Sequence, residues 1–173
     1  MHSISTFKDS KTISDNIYAG AATYLAHGFD TDKNFFYKQS DIPEVGELSF
    51  YLSCFFGYNR LKLAHSFKDK QESGTVDSAS VGLFTYPMLM AADILLYDAD
   101  IVPVGKDQKQ HLEYTREVCK RINHAVGKKV FKLPTGVTQN HVQTVPGITR
   151  NEDGSFMKMS KSYDNTINLF QTD

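Results

Sequence analysis

The stretch "DADIVPVGKDQKQHLEYTREVCKRINHAVG", residues 98–127, constrains the fold more than any other. Ile101–Val104 are four apolar residues in a row and read as a compact strand. Gly105 and the polar "KDQ" turn the chain. A long helix follows over 107–127, with Leu112, Val118 and Ile122 inside. Upstream, "YPMLMAADILLYD" (86–98) has the length of a buried helix. Short apolar strands alternating with helices point to an α/β domain with a largely parallel sheet.

The remaining segments fit that class. "DSKTISDNIYAGAATYLAHGF" (9–29) spaces Ile13, Ile17, Ala21 and Leu25 at four-residue steps, which makes one apolar helical stripe with Gly28 near its end. "NFFYKQS" (34–40) is short and aromatic and reads as a strand. "PEVGELSFYLSCFF" (43–56) starts on proline and keeps Val45, Leu48, Leu52 and Phe55 on one side, so it reads as a helix. "NRLKLAHSFKDKQ" (59–71) reads as a second helix, and "QESGTVDSAS" (71–80) as a mobile loop. No linker marks a second domain, so 1–173 is expected to form one.

Net charge is −1, so no global field draws nucleic acid or anionic lipid, and any anion binding must be local. The longest apolar run, around Pro87–Leu96, is too short for a membrane span and is broken by Asp93. No start resembling a signal peptide is present. Cys54 and Cys119 lack metal-type spacing and read as reduced thiols of an intracellular protein. No metal-ligand set is predicted.

Three segments carry chemistry. In the first, Gly105 allows close approach to the backbone, and Asp107 is placed to cap the following helix, whose first amides favour phosphate or ribose oxygens. A capped helix after a tight turn would look the same. In the second, Asp93 lies among Met88, Leu89, Met90, Ala91, Ala92, Ile94 and Leu95. A carboxylate there needs a donor, either internal or on a ligand. Tyr86, two helical turns earlier, reaches the same side. In the third, "SFMKMSKSYDN" (155–165) sets Lys158, Lys161, Ser160 and Ser162 within short range. These donors suit a polyphosphate, or equally a solvated loop.

Taken together, the segments resemble the class I aminoacyl-tRNA synthetases. "KMSKS" (158–162) is a signature of that class, and 82–123 resembles the core of the bacterial-type tryptophanyl-tRNA synthetase family. "HSFKDKQ" and "DNIYAGAATYLAHGFD" resemble earlier parts of the same enzymes. The tyrosyl family shares the fold but carries glycine-serine before its Asp-Gln, where this chain has "VGKDQ".

The resemblance implies a Rossmann-like domain with helices on both faces of a parallel sheet, and a helical dimer segment inserted at about 43–70. It implies ATP-dependent activation of L-tryptophan and transfer to tRNA(Trp), in the cytoplasm, by a homodimer. Asp93 would accept the indole N–H, Met90 and Val104 would flank the ring, and Tyr86 and Gln108 would bind the α-amino group. Gly105, Lys106, Asp107, Val145, Lys70, Met159, Ser160 and Ser162 would contact ATP. Lys158 and Lys161 would stabilise the displacement at the α-phosphate, with Mg²⁺ sharing the charge. Tyrosine specificity and a noncatalytic binding or dimerisation module remain alternatives.

The resemblance also implies parts that these residues lack. None of His2, His27, His65, His111, His124 and His141 begins a His-x-Gly-His or His-x-Gly-Asn motif. "MHSIST" resembles the family segment after the second strand, and no helical anticodon-binding region follows residue 173. The chain is therefore expected to be an internal portion of the catalytic domain, inactive by itself.

Overall fold

The computed structural model describes residues 9–65, 67–68, 79–138, 145–160 and 163–167. They divide into two compact units, Met1–Thr138 and Gln139–Asp173.

In the first unit, helix α1 (Ser10–Ala26) starts where the Asp9 carboxylate accepts the Thr12 N–H at 2.9 Å. It has no buried residue. Pro43 opens α2 (Glu44–Phe55), as its fixed φ allows, and Val45 and Leu52 are fully buried. Helix α4 (Val81–Leu95) begins earlier than Tyr86, because Ser80 Oγ accepts the Leu83 N–H at 3.1 Å and caps it. Pro87 lies inside α4 and cannot donate to the Leu83 carbonyl.

Two expected elements differ. "NFFYKQS" forms no strand; it is an extended aromatic segment that ends in a 3₁₀ turn, Gln39–Asp41. No ladder partner reaches it among the described residues. Its rings pack sideways instead: Phe36 lies 5.6 Å from Tyr24 and 5.2 Å from Phe29, and Tyr37 lies 5.8 Å from Tyr97. The helix expected over 59–71 is only α3 (Tyr58–Leu61). The Gln110 carboxamide interrupts it, donating to the Leu63 carbonyl at 2.9 Å and accepting the His65 N–H at 3.0 Å. Most of the loop expected at 71–80 falls outside the described residues.

Strand β1 (Ile101–Pro103) pairs in parallel with β2 (Thr135–Val137), with Ile101 opposite Thr135 and Pro103 opposite Val137. Helix α5 (Lys109–Val126) connects them, the crossover that parallel strands require. Its Leu112 presses on the strand backbone, and a Cβ at Gly136 would collide with the Leu112 side chain. The core lies between α2, α4 and α5 and includes Leu52, Met88, Ala92, Tyr114, Val118 and Ile122.

Beside that core, Glu117 accepts from Arg60 Nε and from Arg121, each at 2.9 Å. Burial pulls the Glu117 carboxyl upward, but the hydrogen bonds and charges of Arg60 and Arg121 outweigh it and leave the group below the usual range. A lowered folded-state value gives stability that is present above the unfolded value and lost as pH falls through the folded one. Glu117→Gln should flatten the acid limb of a stability-versus-pH curve measured by urea unfolding. An unchanged acid limb would contradict this.

In the second unit, β3 (Pro146–Arg150) and β4 (Phe156–Lys158) form an antiparallel hairpin with an irregularity in register. The "NEDGS" loop closes it: the Asn151 N–H bonds the Ser155 carbonyl at 2.8 Å, and the Gly154 N–H bonds the Asn151 carbonyl at 3.0 Å. The Arg150 guanidinium lies 4.0 Å from the centre of the Phe156 ring. Among the described residues no helix is long and apolar enough to cross a membrane.

Candidate functional site

A cleft of about 520 Å³ opens between α4, β1 and the turn that starts α5. That volume suits a small-molecule ligand. Tyr86, Met90 and Asp93 line it from α4, at spacings that bring them to one face. Val104, Gly105 and Gln108 line it from the strand end and the turn, the position where open α/β sheets take ligands. All five residues expected around an indole amino acid therefore share one cavity.

The polar groups are arranged as follows. Asp93 is half-buried, and both of its oxygens accept from Gln39 Nε2 at 2.7 Å. The donor that the apolar surroundings demanded is thus internal, and it comes from the 3₁₀ turn. Tyr86 Oη lies 2.8 Å from His111 Nε2, and their rings are 5.2 Å apart, edge to face. Tyr37, beside Gln39, has its phenol raised, by burial first, then by hydrogen bonding with Tyr97 and by the charges of Tyr97 and Asp93.

Gly105, Lys106 and Asp107 are exposed at the turn. Asp107 does not cap α5 as expected. It sits within a 3₁₀ turn, Lys106–Gln108, and accepts from Gln108 Nε2 at 2.7 Å, while Gln108 itself takes the N-cap position without a side-chain cap. The extra 3₁₀ turn moves the helix start one step past Asp107.

In the second unit, Val145 is exposed just before β3, and Lys158 is exposed at the end of β4. Met159 and Ser160 are half-buried. Asn165, fully buried, holds this segment. Its Oδ1 accepts the Ser160 N–H at 2.8 Å. Its Nδ2 donates to the Lys158 carbonyl at 3.1 Å and to Thr149 Oγ1 at 3.0 Å. A Cβ at Gly147 would strike the Asn165 side chain, so the glycine makes room for it. Lys70, Lys161 and Ser162 lie outside the described residues.

Sequence reasoning missed Gln39, His111 and Asn165. Gln39 and Asp93 are 54 positions apart, and no periodicity links such a pair. Asn165 had one signal, its place in the polar "SYDN" directly after the lysine motif.

Comparison with known proteins places these features. The family model described as class I tRNA synthetases (W and Y) matches residues 1–173. The chain belongs to this family. The tryptophan–tRNA ligase of Fusobacterium nucleatum is 46% identical over 171 residues, which covers 99% of this chain and 50% of that protein. The chain thus spans about half the length of this curated relative. The crystal structure of Campylobacter jejuni tryptophanyl-tRNA synthetase, complexed with ADP and tryptophan, superposes with a TM-score of 0.85 at 44% identity, covering 99% of this chain and 51% of that one. Archaeoglobus fulgidus tyrosyl-tRNA synthetase shares the fold at a TM-score of 0.69, with 20% identity over 95% of this chain and 47% of that one. The fold is therefore the α/β fold of class I synthetases, reached with one parallel strand pair among the described residues.

Proposed function

We propose that the chain supplies the amino-acid site and part of the ATP site of a tryptophan–tRNA ligase that works in the cytoplasm. The reaction joins the carboxylate of L-tryptophan to the α-phosphate of ATP, with pyrophosphate leaving, and then transfers the acyl group to tRNA(Trp). The observation that carries this reading is the meeting of Tyr86, Met90, Asp93, Val104 and Gln108 in one cleft.

In that cleft Asp93 accepts the indole N–H, Met90 and Val104 flank the ring, and Tyr86 and Gln108 hold the α-amino group. Gly105, Lys106, Asp107, Val145 and Lys70 contact ATP. The "KMSKS" residues Lys158, Met159, Ser160, Lys161 and Ser162 complete the phosphate contacts, and Lys158 and Lys161 neutralise charge as pyrophosphate departs. Mg²⁺ accompanies the phosphates. Among the described residues no group of three or more His, Cys, Asp or Glu side chains could hold an ion. We assign residues 1–173 to one partial catalytic domain, with 43–70 as its homodimer segment. Phe50, Tyr51 and Tyr58 there are exposed aromatics that a second copy would cover.

Equilibrium dialysis against L-tryptophan and L-tyrosine tests the reading. The chain should prefer tryptophan. Asp93→Ala should weaken its binding about ten- to a hundredfold, the effect of losing an acceptor worth about 1–3 kcal/mol. A preference for tyrosine would support the tyrosyl alternative. Unchanged tryptophan binding by Asp93→Ala would remove Asp93 from the site.

A further inference from the structure

The Asp93 carboxylate does not stand alone at the cleft. Gln39 reaches it from a separate element, and one amide nitrogen lies 2.7 Å from each carboxylate oxygen. Gln39 is itself fixed. It opens the 3₁₀ turn, where the Asp41 N–H bonds the Lys38 carbonyl at 2.8 Å and the Ile42 N–H bonds the Gln39 carbonyl at 3.2 Å. Immediately before it, Tyr37 packs on Tyr97, which follows α4. The amide therefore approaches Asp93 from a braced segment.

An aspartate side chain can rotate about two bonds. A donor held against both oxygens fixes the plane of the carboxylate. An ionised carboxylate has about four acceptor positions, so a chelating amide leaves others open. Asp93 lines the cleft, so those positions face the space where a ligand would lie.

We infer that Gln39 is a positioning residue for ligand selection: it orients Asp93 so that an oxygen lone pair is presented to a ring N–H in the cleft. Gln39 does not touch the ligand; it acts through Asp93. This inference rests on the tryptophan reading of the cleft. It assigns specificity to a residue outside the cleft walls, so that discrimination for an N–H donor depends on a turn 54 positions away in sequence.

A plain structural role, pinning the turn to α4, would affect every ligand alike. Orientation of Asp93 affects only ligands that carry the N–H. The experiment measures binding of L-tryptophan and of β-(benzothienyl)-L-alanine, in which sulfur replaces the indole N–H, by equilibrium dialysis on the 173-residue chain. Wild type, Gln39→Ala and Gln39→Met are compared; the methionine keeps the side-chain length without the amide. Both variants should weaken tryptophan about tenfold, equivalent to about 1.4 kcal/mol. Both should leave the sulfur analogue within about twofold of wild type, since no donor meets Asp93 there. Circular dichroism checks that each variant folds.

Equal weakening of both ligands by both variants would overturn the inference while leaving the tryptophan reading intact. So would unchanged tryptophan binding in both. A wild-type chain that binds the two ligands equally, or binds neither, would overturn the tryptophan reading and this inference with it.

Discussion

Tyr114→Ala should cost the first unit about 3–5 kcal/mol of unfolding free energy, the range for removing a large buried aromatic. Tyr114 has no exposed surface and sits where three helices meet. Its ring lies 5.1 Å from Phe56 and 4.9 Å from the Arg60 guanidinium carbon, and its hydroxyl donates to the Arg60 carbonyl at 3.0 Å. Alanine would leave a cavity that surrounding side chains fill only in part, and would orphan the Arg60 contact. Tyr114→Phe separates the two contributions: it loses only the hydrogen bond, worth about 1 kcal/mol. Urea denaturation measures both. Similar costs for the two variants would mean that the ring contributes little, contrary to its burial.

Asn165→Ala should release the backbone around the first lysine of "KMSKS". The hydrogen bonds to Ser160, Lys158 and Thr149 are lost together at a buried site. At about 1 kcal/mol each, their sum is about 3 kcal/mol of local stability. Trypsin cuts after lysine, and cleavage in a folded chain follows the population of the locally open form. Cleavage after Lys158 should therefore accelerate about a hundredfold, as about 3 kcal/mol implies. Asn165→Asp keeps the acceptor for Ser160 but loses the donors, and should fall between. If Asn165→Ala is cut at the wild-type rate, Asn165 does not hold the segment.

The expectations that held were those written in local pattern. Helices α1, α2 and α5 and strand β1 follow from apolar spacing, a proline start and a glycine turn. The cleft was also legible, because Tyr86, Met90 and Asp93 share a helix face by spacing alone, and the strand end brings in Val104 and Gln108. The failures came from long-range competition. An aromatic run looks like a strand whether or not a neighbouring strand bonds to it, and 34–40 has none among the described residues. A helical pattern at 59–71 could not reveal that the Gln110 amide, 47 positions from Leu63, would take the backbone groups of the next turn. The Asp107 cap failed by one residue, since a 3₁₀ turn and an α turn start from the same letters. Gln39 was invisible for the same reason as Gln110: a side-chain amide that bridges elements leaves no trace in its own neighbourhood.

Helices α4 and α5 serve two surfaces at once. α4 carries Tyr86 and Asp93 to the cleft and Met88, Ala91, Ala92 and Leu95 to the core, while α5 begins beside Gln108 and buries Tyr114, Val118, Cys119 and Ile122. The ligand cleft thus belongs to the last part of the unit to open. Transient openings near the native state are confined to elements such as α1, which has no buried residue. Breathing of the chain can expose its periphery many times without the spacing between Tyr86 and Asp93 being disturbed. Ligand geometry at this cleft is as durable as the fold itself.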